Sequence, residues 1–401
     1  MFTKVMARVA IGSVSALALA TPMVANATPS SPSSDDLAPL YGAQSKSAIP
    51  GKYIVVLKDD AGIAARNSVS SLAADVGATV RERYDSALTG FSASMSESAV
   101  EELRADPRVA YVQANQEVHA TGTQTPTPSW GLDRVDQEAL PADDSYTYAE
   151  TGAGVTAYII DTGINATHQD FGDRVGEGFS AVDGGTDDAN GHGTHVAGTV
   201  GGTEYGLAKD VALEPVRVLD ANGSGSTEGV VKGIDWVTEN ASGPSVANMS
   251  LGGPSDPALD DAVAGSIEAG VTYAVAAGND YGADACGSSP AAVPEALTVA
   301  STADDDAASE FTNGGSCVDL AAPGTDITSD WIGGDDATNT ISGTSMATPH
   351  VTGVAALYLE ANPDADPAGV STGLVDEATP DVITGLPEGT ANLLLNYPQD
   401  F

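Results

Sequence analysis

The chain has 401 residues, of which 42% are hydrophobic and 18% charged, which is enough for two or three domains with a buried core. Its formal net charge of −41 is unevenly distributed. Residues 1–120 hold 12 acidic and 10 basic side chains, whereas residues 121–401 hold 44 acidic and 5 basic ones. So acidic a chain lacks the basic face that nucleic acid or an anionic membrane requires, and we expect neither as a partner.

The first 27 residues have the pattern of a secretory signal peptide. Lys4 and Arg8 precede the apolar run VAIGSVSALALA, and the small residues ANA at 25–27 suit signal cleavage. The run is short for a bilayer span, and no second run of that length follows. We therefore expect cleavage after Ala27 and a secreted, extracellular product. The Ser/Pro/Asp-rich stretch that follows predicts a linker over 28–50.

Residues 51–120 predict a small unit of strands and helices. The segments KYIVVL, LTGFSASM and RVAYVQANQEVHA have strand patterns, whereas NSVSSLAADVGATV and ESAVEELRADP have helical ones. Together they predict a compact βαββαβ-like unit, near the size that folds alone. The change of charge at residue 120 and the polar stretch TGTQTPTPS at 121–129 mark its end.

From Trp130 onward, strand and helix patterns alternate. This alternation predicts a parallel sheet with helices on both faces. The segment TSMATPHVTGVAALYLEA is long and mostly apolar, so we expect a buried central helix there. A parallel sheet presents its chemistry at the carboxyl ends of its strands, and Asp161 and Asn279 both follow apolar strand patterns.

The chain contains two cysteines, Cys286 and Cys317. In an exported protein, such a pair is expected to form a disulfide rather than two free thiols. Closing a loop of about 30 residues would stabilise the fold by about 3 kcal/mol through the entropy of the unfolded chain.

Asp161 lies in the triplet DTG, which has more than one interpretation. Aspartic proteases use two such triplets, but this chain has one, so that class is excluded for a monomer. Asp161 then either caps a turn that Gly163 allows or serves as a functional carboxylate at the end of a strand.

Ser345 lies in SGTSMATPH, just before the long apolar helix. Gly343 permits a tight turn, and Pro349 is compatible only with the first helical turn. A serine here is near the positive helix end and free backbone N–H groups, which can hold a developing oxyanion. The alternative is an ordinary N-cap serine. The pattern is not the G-x-S-x-G motif of α/β-hydrolases.

A serine nucleophile needs a histidine base, and that histidine needs a carboxylate. Of the five histidines, His192 and His195 in NGHGTHVAGT are the candidates for the base. The pair might also suggest a metal site, but it lacks the glutamate of H-E-x-x-H and a nearby third ligand. The sequence offers such a set in the order Asp161, His192 and Ser345, and at this point both His192 and His195 remain candidates for the base.

The motifs YIIDTGIN, NGHGTHVAGT and SGTSMATPH occur in this order, with WGLDRVDQ, NMSLGG, AAGND and CVDLAAPG between or before them. In these segments the chain resembles the subtilisin family of serine proteases, in its proteinase K and aqualysin branch. The resemblance implies an α/β fold: a three-layer subtilisin-like peptidase domain with a parallel sheet over 121–401. It further implies a preceding α+β, ferredoxin-like inhibitory propeptide over 51–120, whose removal near His119–Thr121 releases the mature enzyme.

The resemblance also implies a role for each motif residue. Ser345 would be the nucleophile, His192 the general base and acid, and Asp161 the carboxylate that orients the histidine. His195 is then expected to be a packing histidine on the helix that follows. Asn279 would donate its amide to the oxyanion, although in isolation it also fits a turn after Gly278. The spacing of Cys286 and Cys317 resembles one disulfide of the aqualysin-like branch.

Substrate binding is implied at two segments between which a peptide would add as a strand, Gly223–Ser224–Gly225 and Ser250–Gly253. The primary specificity pocket would lie between Ser250–Leu251–Gly252 and Ala276–Ala277–Gly278. Because these residues are small, we expect bulky apolar or aromatic residues before the cleaved bond and broad specificity otherwise.

Calcium is the one metal that the resemblance implies, in a structural role only. One site would use the side chains of Asp133, Asp136, Gln137 and Asp143; Ser145 stands where some relatives have asparagine. A second would use Asp319 with the carbonyl groups of Pro294 and Ala296. The alternative is acidic loops without bound metal.

We therefore expect a monomeric, secreted serine endopeptidase that cleaves proteins through an acyl-enzyme intermediate and matures by cutting its own propeptide. No cofactor is expected in catalysis. The competing hypothesis is a catalytically silent relative that only binds peptides, which the intact set Asp161, His192, Asn279 and Ser345 argues against.

Overall fold

The structure, a computed structural model, describes residues 37–43, 48–58, 69–116 and 122–398. The predicted signal peptide and the predicted maturation site near His119–Thr121 lie outside the described residues. Two compact units divide the chain between Gln116 and Glu117.

In the part of the first unit that the structure describes, a five-stranded sheet in the order β1-β5-β2-β4-β3 is accompanied by two helices. Its elements are β1 (Leu40–Tyr41), β2 (Ala48–Leu57), α1 (Val69–Asp75), β3 (Thr79–Tyr84), β4 (Gly90–Ser94), α2 (Glu97–Arg104) and β5 (Val109–Gln116). Val55, Phe91, Leu103 and Val112 are fully buried in its core. The α+β architecture expected here is confirmed.

Part of the stretch expected to be a linker, 28–50, belongs to this sheet. Leu40–Tyr41 pairs in parallel with β5, and Ala48 pairs with Gln116. The Ser/Pro/Asp-rich composition ends at residue 39, and the apolar Leu40 packs against the core. The linker expectation is therefore wrong for Leu40–Tyr41 and Ala48, and residues 28–36 of that stretch lie outside the described residues.

The elements of the second unit alternate as expected. The helices are α3 (Trp130–Val135), α4 (His192–Gly201), α5 (Thr227–Asn240), α6 (Pro257–Glu268), α7 (Thr344–Ala361) and α8 (Pro367–Glu377), with 3-10 turns at Gln169–Phe171 and Ala285–Gly287. The strands are β6 (Gly122–Gln124), β7 (Tyr146–Tyr148), β8 (Thr156–Asp161), β9 (Phe179–Ser180), β10 (Ala212–Arg217), β11 (Ser245–Met249), β12 (Gly253–Pro254), β13 (Thr272–Ala276), β14 (Ser288–Ser289), β15 (Leu297–Thr302), β16 (Leu320–Pro323), β17 (Ile327–Asp330), β18 (Thr338–Ile341), β19 (Thr379–Pro380) and β20 (Leu393–Leu394). The expected linker 121–129 supplies β6, which pairs with β7.

The central sheet has the strand order β19-β20-β16-β15-β13-β11-β8-β10-β9 and is parallel except at the β19–β20 pair. The chain runs from β8 to its neighbour β10 and then to β11 on the other side of β8. Such a reversal opens a crevice at the carboxyl end of the strand. Asp161 is the residue at that end.

Helices cover both faces of this sheet, which makes three layers. One face packs against α4, α7 and α8 through residues such as Val196, Val351 and Leu374. The other packs against α5 and α6 through residues such as Ile234 and Val263. Burying each such side chain contributes about 1.5–3 kcal/mol, so the strands between the layers are apolar on both sides.

Helix α7 is the predicted central helix. All of its residues are buried except Ser345 and the last two. Because the sequence has no polar face to present to water, the helix is stable only inside the layer. Ser345 is thus the partly exposed position at its amino-terminal end.

A disulfide joins Cys286 to Cys317, with 5.4 Å between the Cα atoms. It ties the 3-10 turn at Ala285–Gly287 to the residues that lead into β16. The expected pairing is confirmed.

Candidate active site

Strand β8 and helix α4 bring Asp161 and His192 together. Asp161 is fully buried, and its Oδ1 and Oδ2 lie 2.8 and 3.0 Å from Nδ1 of His192. Because a carboxylate can only accept, Nδ1 carries the proton and donates it, which leaves Nε2 of a neutral imidazole as an acceptor. The His192 side chain is 24% exposed and lines a surface cavity.

The surroundings of His192 favour its charged form. Burial lowers the pKa of His192, but the charge of Asp161, the hydrogen bond to Asp161 and the charge of Asp188 outweigh it, so the pKa is raised above its usual 6.5. An imidazolium that forms here during a reaction is therefore stabilised.

Asp188, which no sequence pattern singles out, organises the loop that presents His192. Its Oδ1 accepts hydrogen bonds from the backbone N–H groups of Asn190 and Gly191, both at 2.9 Å, and from the Thr162 hydroxyl. Its Oδ2 accepts from the backbone and hydroxyl of Thr194, at 2.9 and 2.7 Å. The signal was an acidic residue four positions before His192, in a chain where acids are too common to attract notice.

Ser345 is the second residue of α7. Its Oγ donates a hydrogen bond to the carbonyl of Ser250, at 3.2 Å. Helices α4 and α7 pack against each other, so His192 and Ser345 both lie at the amino-terminal ends of neighbouring helices.

Pro349 stands beyond the first turn of α7, contrary to the position expected for it. As the sixth residue of the helix it has no N–H to donate to the carbonyl of Ser345, four residues earlier. The Ser250 hydroxyl donates to that carbonyl instead, at 2.8 Å, and itself accepts from Asn248 Nδ2 at 2.8 Å. A tertiary hydrogen bond thus replaces the missing helical one and ties the start of α7 to β11.

Asn279 lies at the amino-terminal end of α7, where Thr344 holds its side-chain oxygen. Its Oδ1 accepts from the backbone N–H and the hydroxyl of Thr344, at 2.8 and 3.0 Å, so Nδ2 points away from Thr344. A methyl group on Gly343 would lie 3.7 Å from Asn279 Nδ2 and 3.6 Å from Ser345 N. Both donors therefore lie close to Gly343, and two donors this near each other could serve one oxyanion.

Two surface cavities meet beside these groups. One, of about 740 Å³, is lined by His192, by Gly223–Gly225 and by Ser250–Gly253. The other, of about 540 Å³, is lined by Ser345, Asn279, Leu251–Gly253 and Ala276–Gly278. The residues expected to bind substrate are thus adjacent, except that Ser250 lines the first cavity and not the second.

The family assignment follows from comparison with known proteins. Residues 152–394 match the Subtilase family, and residues 52–121 match the family Peptidase inhibitor I9. The chain belongs to the subtilase family. Its first unit is accordingly an inhibitor-type propeptide, and its second is a subtilisin-like serine protease domain.

Two similar proteases and one solved structure show how far this subtilase resembles its relatives. An extracellular serine proteinase from Thermus sp. (strain Rt41A) is 50% identical over 382 residues, which cover 90% of this chain and 93% of that protein. The alkaline serine exoprotease A of Vibrio alginolyticus is 47% identical over 365 residues, which cover 87% of this chain and 67% of that protein. The crystal structure of a cold-adapted subtilisin-like serine proteinase is 53% identical, with a TM-score of 0.66, and covers 68% of this chain and 99% of that one.

His195 of this subtilase is a packing residue. It is fully buried, its Nε2 lies 3.0 Å from the carbonyl of Ile327, and its ring contacts the edge of Trp331. Burial lowers its pKa to about 4, so the imidazole stays neutral. Its side chain takes no part in the Asp161–His192 pair.

The first group of expected calcium ligands lies in one loop. Asp133 accepts from the backbone of Asp143 and Asp144, at 3.1 and 2.8 Å, and also from the amide of Gln137. Asp136 Oδ1 is buried and has no hydrogen-bond partner. Burial, aided by the charges of Asp133 and Asp143, raises the pKa of Asp136 to about 7. An unpaired buried oxygen among carboxylates fits a hard cation, although Gln137 would have to turn its amide to act as a ligand.

The second expected group sits at the starting edge of the sheet. Ala296 directly precedes β15 and Asp319 directly precedes the adjacent parallel strand β16. Asp319 Oδ2 accepts from the backbone N–H of Thr298 at 2.8 Å, and burial raises the pKa of Asp319 to about 6. Within the described ranges, no three His, Cys, Asp or Glu side chains form a metal-binding group by themselves. Calcium sites of this subtilase would therefore need carbonyl, amide or water oxygens as well.

No helix in the described part of this subtilase is long and apolar enough to cross a membrane.

Proposed function

We propose that this subtilase is a secreted serine endopeptidase with Ser345 as nucleophile and the pair His192–Asp161 as its base. The observation that carries the proposal is the hydrogen bond from His192 Nδ1 to Asp161, which leaves Nε2 as an acceptor at the edge of the substrate cavity. A positioned base of this kind is what a serine hydroxyl requires to become nucleophilic.

In the acylation step, Ser345 Oγ attacks the carbonyl carbon of the substrate peptide bond. The hydroxyl turns from the Ser250 carbonyl to His192, whose Nε2 takes its proton. The new imidazolium is stabilised by Asp161, in keeping with the raised pKa of His192. His192 then gives the proton to the leaving amine, and a water molecule hydrolyses the acyl-enzyme by the same route.

The negative charge on the substrate oxygen would be held by Asn279 Nδ2 and the backbone N–H of Ser345. Both donors are fixed before substrate arrives, Asn279 by Thr344 and Ser345 by the helix. Donors that need no reorganisation stabilise the transition state more than the ground state.

We expect apolar or aromatic residues before the cleaved bond. The cavity of about 540 Å³ beside Ser345 is walled by glycine and alanine at Gly252 and Ala276–Gly278, so a large side chain can enter. Peptides with Phe or Leu at this position should be cleaved with kcat/KM about tenfold or more above peptides with Lys or Glu. Equal values across a peptide series that varies only this residue would contradict the pocket assignment.

The propeptide unit would inhibit the protease until it is cut near residues 119–121. Calcium would be structural, held by Asp133, Asp136, Gln137 and Asp143 in one site and by Asp319 with carbonyl oxygens of Pro294 and Ala296 in the other. Its role there is to neutralise buried carboxylates, and none is assigned to it in catalysis.

Self-maturation tests the proposal directly. The wild-type precursor should cut itself near residue 120, whereas Ser345→Ala should stay uncut because the nucleophile is lost. Ser342→Ala is the matched control: this exposed serine bonds to Asp326 and should mature normally. Mass spectrometry of purified precursors gives the readout. Maturation of pure Ser345→Ala, or a mature wild type that ignores a serine-directed phosphonylating inhibitor, would overturn the mechanism in favour of a silent peptide-binding relative.

A further inference from the structure

Residues 277–280 leave the central sheet as an irregular loop that carries Asn279. Strand β13 ends at Ala276, and the next three residues belong to no helix or strand. Asn279 and Asp280 are exposed to solvent. Thr344 holds the side-chain oxygen of Asn279, but a side chain is placed only as well as the backbone that carries it. Because no regular element supplies hydrogen bonds to this loop, other groups must hold its backbone.

Asn313 contacts this loop from the interior of the protease unit. Its exposed fraction is 0%. Its Nδ2 donates to the carbonyl of Ala277 at 3.0 Å, and its Oδ1 accepts from the backbone N–H of Asp280 at 2.8 Å. Its own backbone N–H donates to the carbonyl of Gly278 at 2.9 Å. One buried residue thus makes three hydrogen bonds to the backbone of residues 277–280.

These partners determine the orientation of the Asn313 amide. A carbonyl only accepts and an N–H only donates, so turning the amide over would oppose two acceptors at Ala277 and two donors at Asp280. Gly278 allows the close approach, because its φ of 104° lies in the left-handed region and a methyl group there would collide with Asn313 Nδ2. Asn313 therefore fits against the loop with its amide in one orientation.

Two of the three hydrogen bonds lie on either side of Asn279. The carbonyl of Gly278 belongs to the peptide plane before the Asn279 Cα atom, and the N–H of Asp280 belongs to the plane after it. Each plane is rigid, so the backbone at Asn279 can turn only about φ and ψ. Because one buried residue holds both planes, neither angle can change much without the loss of a hydrogen bond. Asn313 thereby fixes the point from which the Asn279 side chain extends.

We propose that Asn313 is a positioning residue of the oxyanion hole, which acts on the reaction through Asn279. The inference rests on the proposed function, in which Asn279 Nδ2 and the backbone N–H of Ser345 hold the substrate oxygen. Such donors stabilise the transition state only if they are fixed before the charge develops. Asn313 lines neither of the two substrate cavities, so its effect on the reaction must pass through the loop.

Steady-state kinetics of Asn313→Ala tests the proposal. A misplacement of about 1 Å in a catalytic group can lower a rate about 10²-fold, so we expect kcat to fall about 10–10²-fold. KM should change little, because the displaced donor acts in the transition state. The same hydrogen bonds also hold Ala277 and Gly278, which wall the cavity beside Ser345. An increase in KM with an unchanged kcat would therefore show that Asn313 only shapes the pocket, and would overturn the proposal.

Asn392→Ala is the matched control. Asn392 also accepts from a backbone N–H and donates to a backbone carbonyl, both of Ile383, at 3.0 and 2.9 Å. It lines neither substrate cavity, so its variant should keep the kcat of the wild type. All precursors are matured by bead-bound wild-type enzyme, which is then removed. A phosphonylating inhibitor counts the competent sites, so that kcat refers to folded enzyme alone.

A double-mutant cycle separates positioning from a general loss of structure. If Asn313 acts through Asn279, Asn313→Ala should lower kcat less than about twofold once Asn279→Ala has removed the donor, because the effects of coupled residues do not add. An equal loss in both backgrounds would contradict the positioning role alone. The proposed function fails in a different way: Asn279→Ala with the kcat of the wild type would refute the oxyanion hole itself, and this proposal with it.

Hydrogen exchange of the wild type covers the case in which Asn313→Ala does not fold. Asp280 is an exposed residue, and the bond from its backbone N–H to Asn313 is what protects this N–H from exchange. In enzyme blocked at Ser345 by the phosphonylating inhibitor, it should exchange about 10²-fold more slowly than in an unstructured peptide. Exchange at the rate of the peptide would show that Asn313 does not hold the loop, and would overturn the proposal.

Discussion

Thr344 fixes which way the Asn279 amide points. Its hydroxyl donates to Asn279 Oδ1 and accepts from the backbone N–H of Gly278, at 3.0 and 3.2 Å. With its oxygen held by two donors, Asn279 has its Nδ2 free for a substrate oxygen. A side chain outside the proposed catalytic set therefore decides whether the amide presents a donor or an acceptor to the oxyanion.

Replacing Asn279 should therefore act on the rate and hardly on binding. Asn279→Ala removes one of two oxyanion donors, and we expect kcat to fall about 10²–10³-fold with KM little changed, a magnitude taken from the equivalent loss in subtilisin. Steady-state kinetics on a peptide substrate measures it. Thr344→Ser, which keeps the hydroxyl, is the control and should lose far less. A loss in Asn279→Ala below tenfold would contradict the donor role.

The start of α4 is held by a charge as well as by hydrogen bonds. The helix begins at His192 after Gly191, whose φ of 109° lies in the left-handed region that favours glycine. Asp188 accepts from N–H groups before and inside the first turn, as an anion does at the positive end of a helix. Asp188, just before α4, therefore both holds the start of the helix and helps to raise the pKa of His192.

The pH dependence of activity should reveal this adjustment. His192 must be neutral to accept a proton, so kcat/KM falls as the pH drops through its pKa, which lies above 6.5. Asp188→Asn removes a negative charge that favours the imidazolium, so its acid limb should move to lower pH. Asp187→Asn changes the net charge equally at an exposed neighbour and should leave the limb in place. Identical pH profiles for Asp188→Asn and wild type would contradict the electrostatic role.

At the scale of the whole molecule, the protease unit has almost no basic surface. Of its five basic residues, Arg134 pairs with Asp306 in the interior, and Lys209 and Arg217 are also buried. Lys232, beside Glu228, has an exposed side chain. The remaining surface charge is acidic and repels itself, which opposes compactness at low ionic strength.

Calcium removal should therefore destabilise the mature enzyme. Chelation leaves the buried Oδ1 of Asp136 without a partner and the nearby carboxylates without a cation, so Tm should fall by several degrees, about the effect of 1–2 kcal/mol in a domain of this size. Inhibitor-blocked enzyme is heated with calcium or with excess chelator at matched high salt. Asp136→Asn should show a smaller decrease than wild type, and an unchanged Tm in excess chelator would remove the calcium assignments.

The sequence by itself determined the fold class, because the periods of strands and helices and the turn glycines are local features. It also indicated the proposed catalytic set, because each of those residues lies in a short motif that resembles one of the subtilisin family. It also indicated the disulfide, since the chain has one pair of cysteines to join. Its errors were a boundary, where the apolar Leu40 extends the first sheet into the expected linker, and the position of Pro349 beyond the first turn of α7.

Only the tertiary structure decided the orientation of Asn279, the role of Asp188 and the replacement of the hydrogen bond that Pro349 cannot make. The physical reason is distance along the chain. Thr344 meets Asn279 across 65 residues and Ser250 meets Ser345 across 95, and no local pattern encodes such pairs. The sequence also does not distinguish the few carboxylates that packing buries from the many acidic side chains that stay exposed to water.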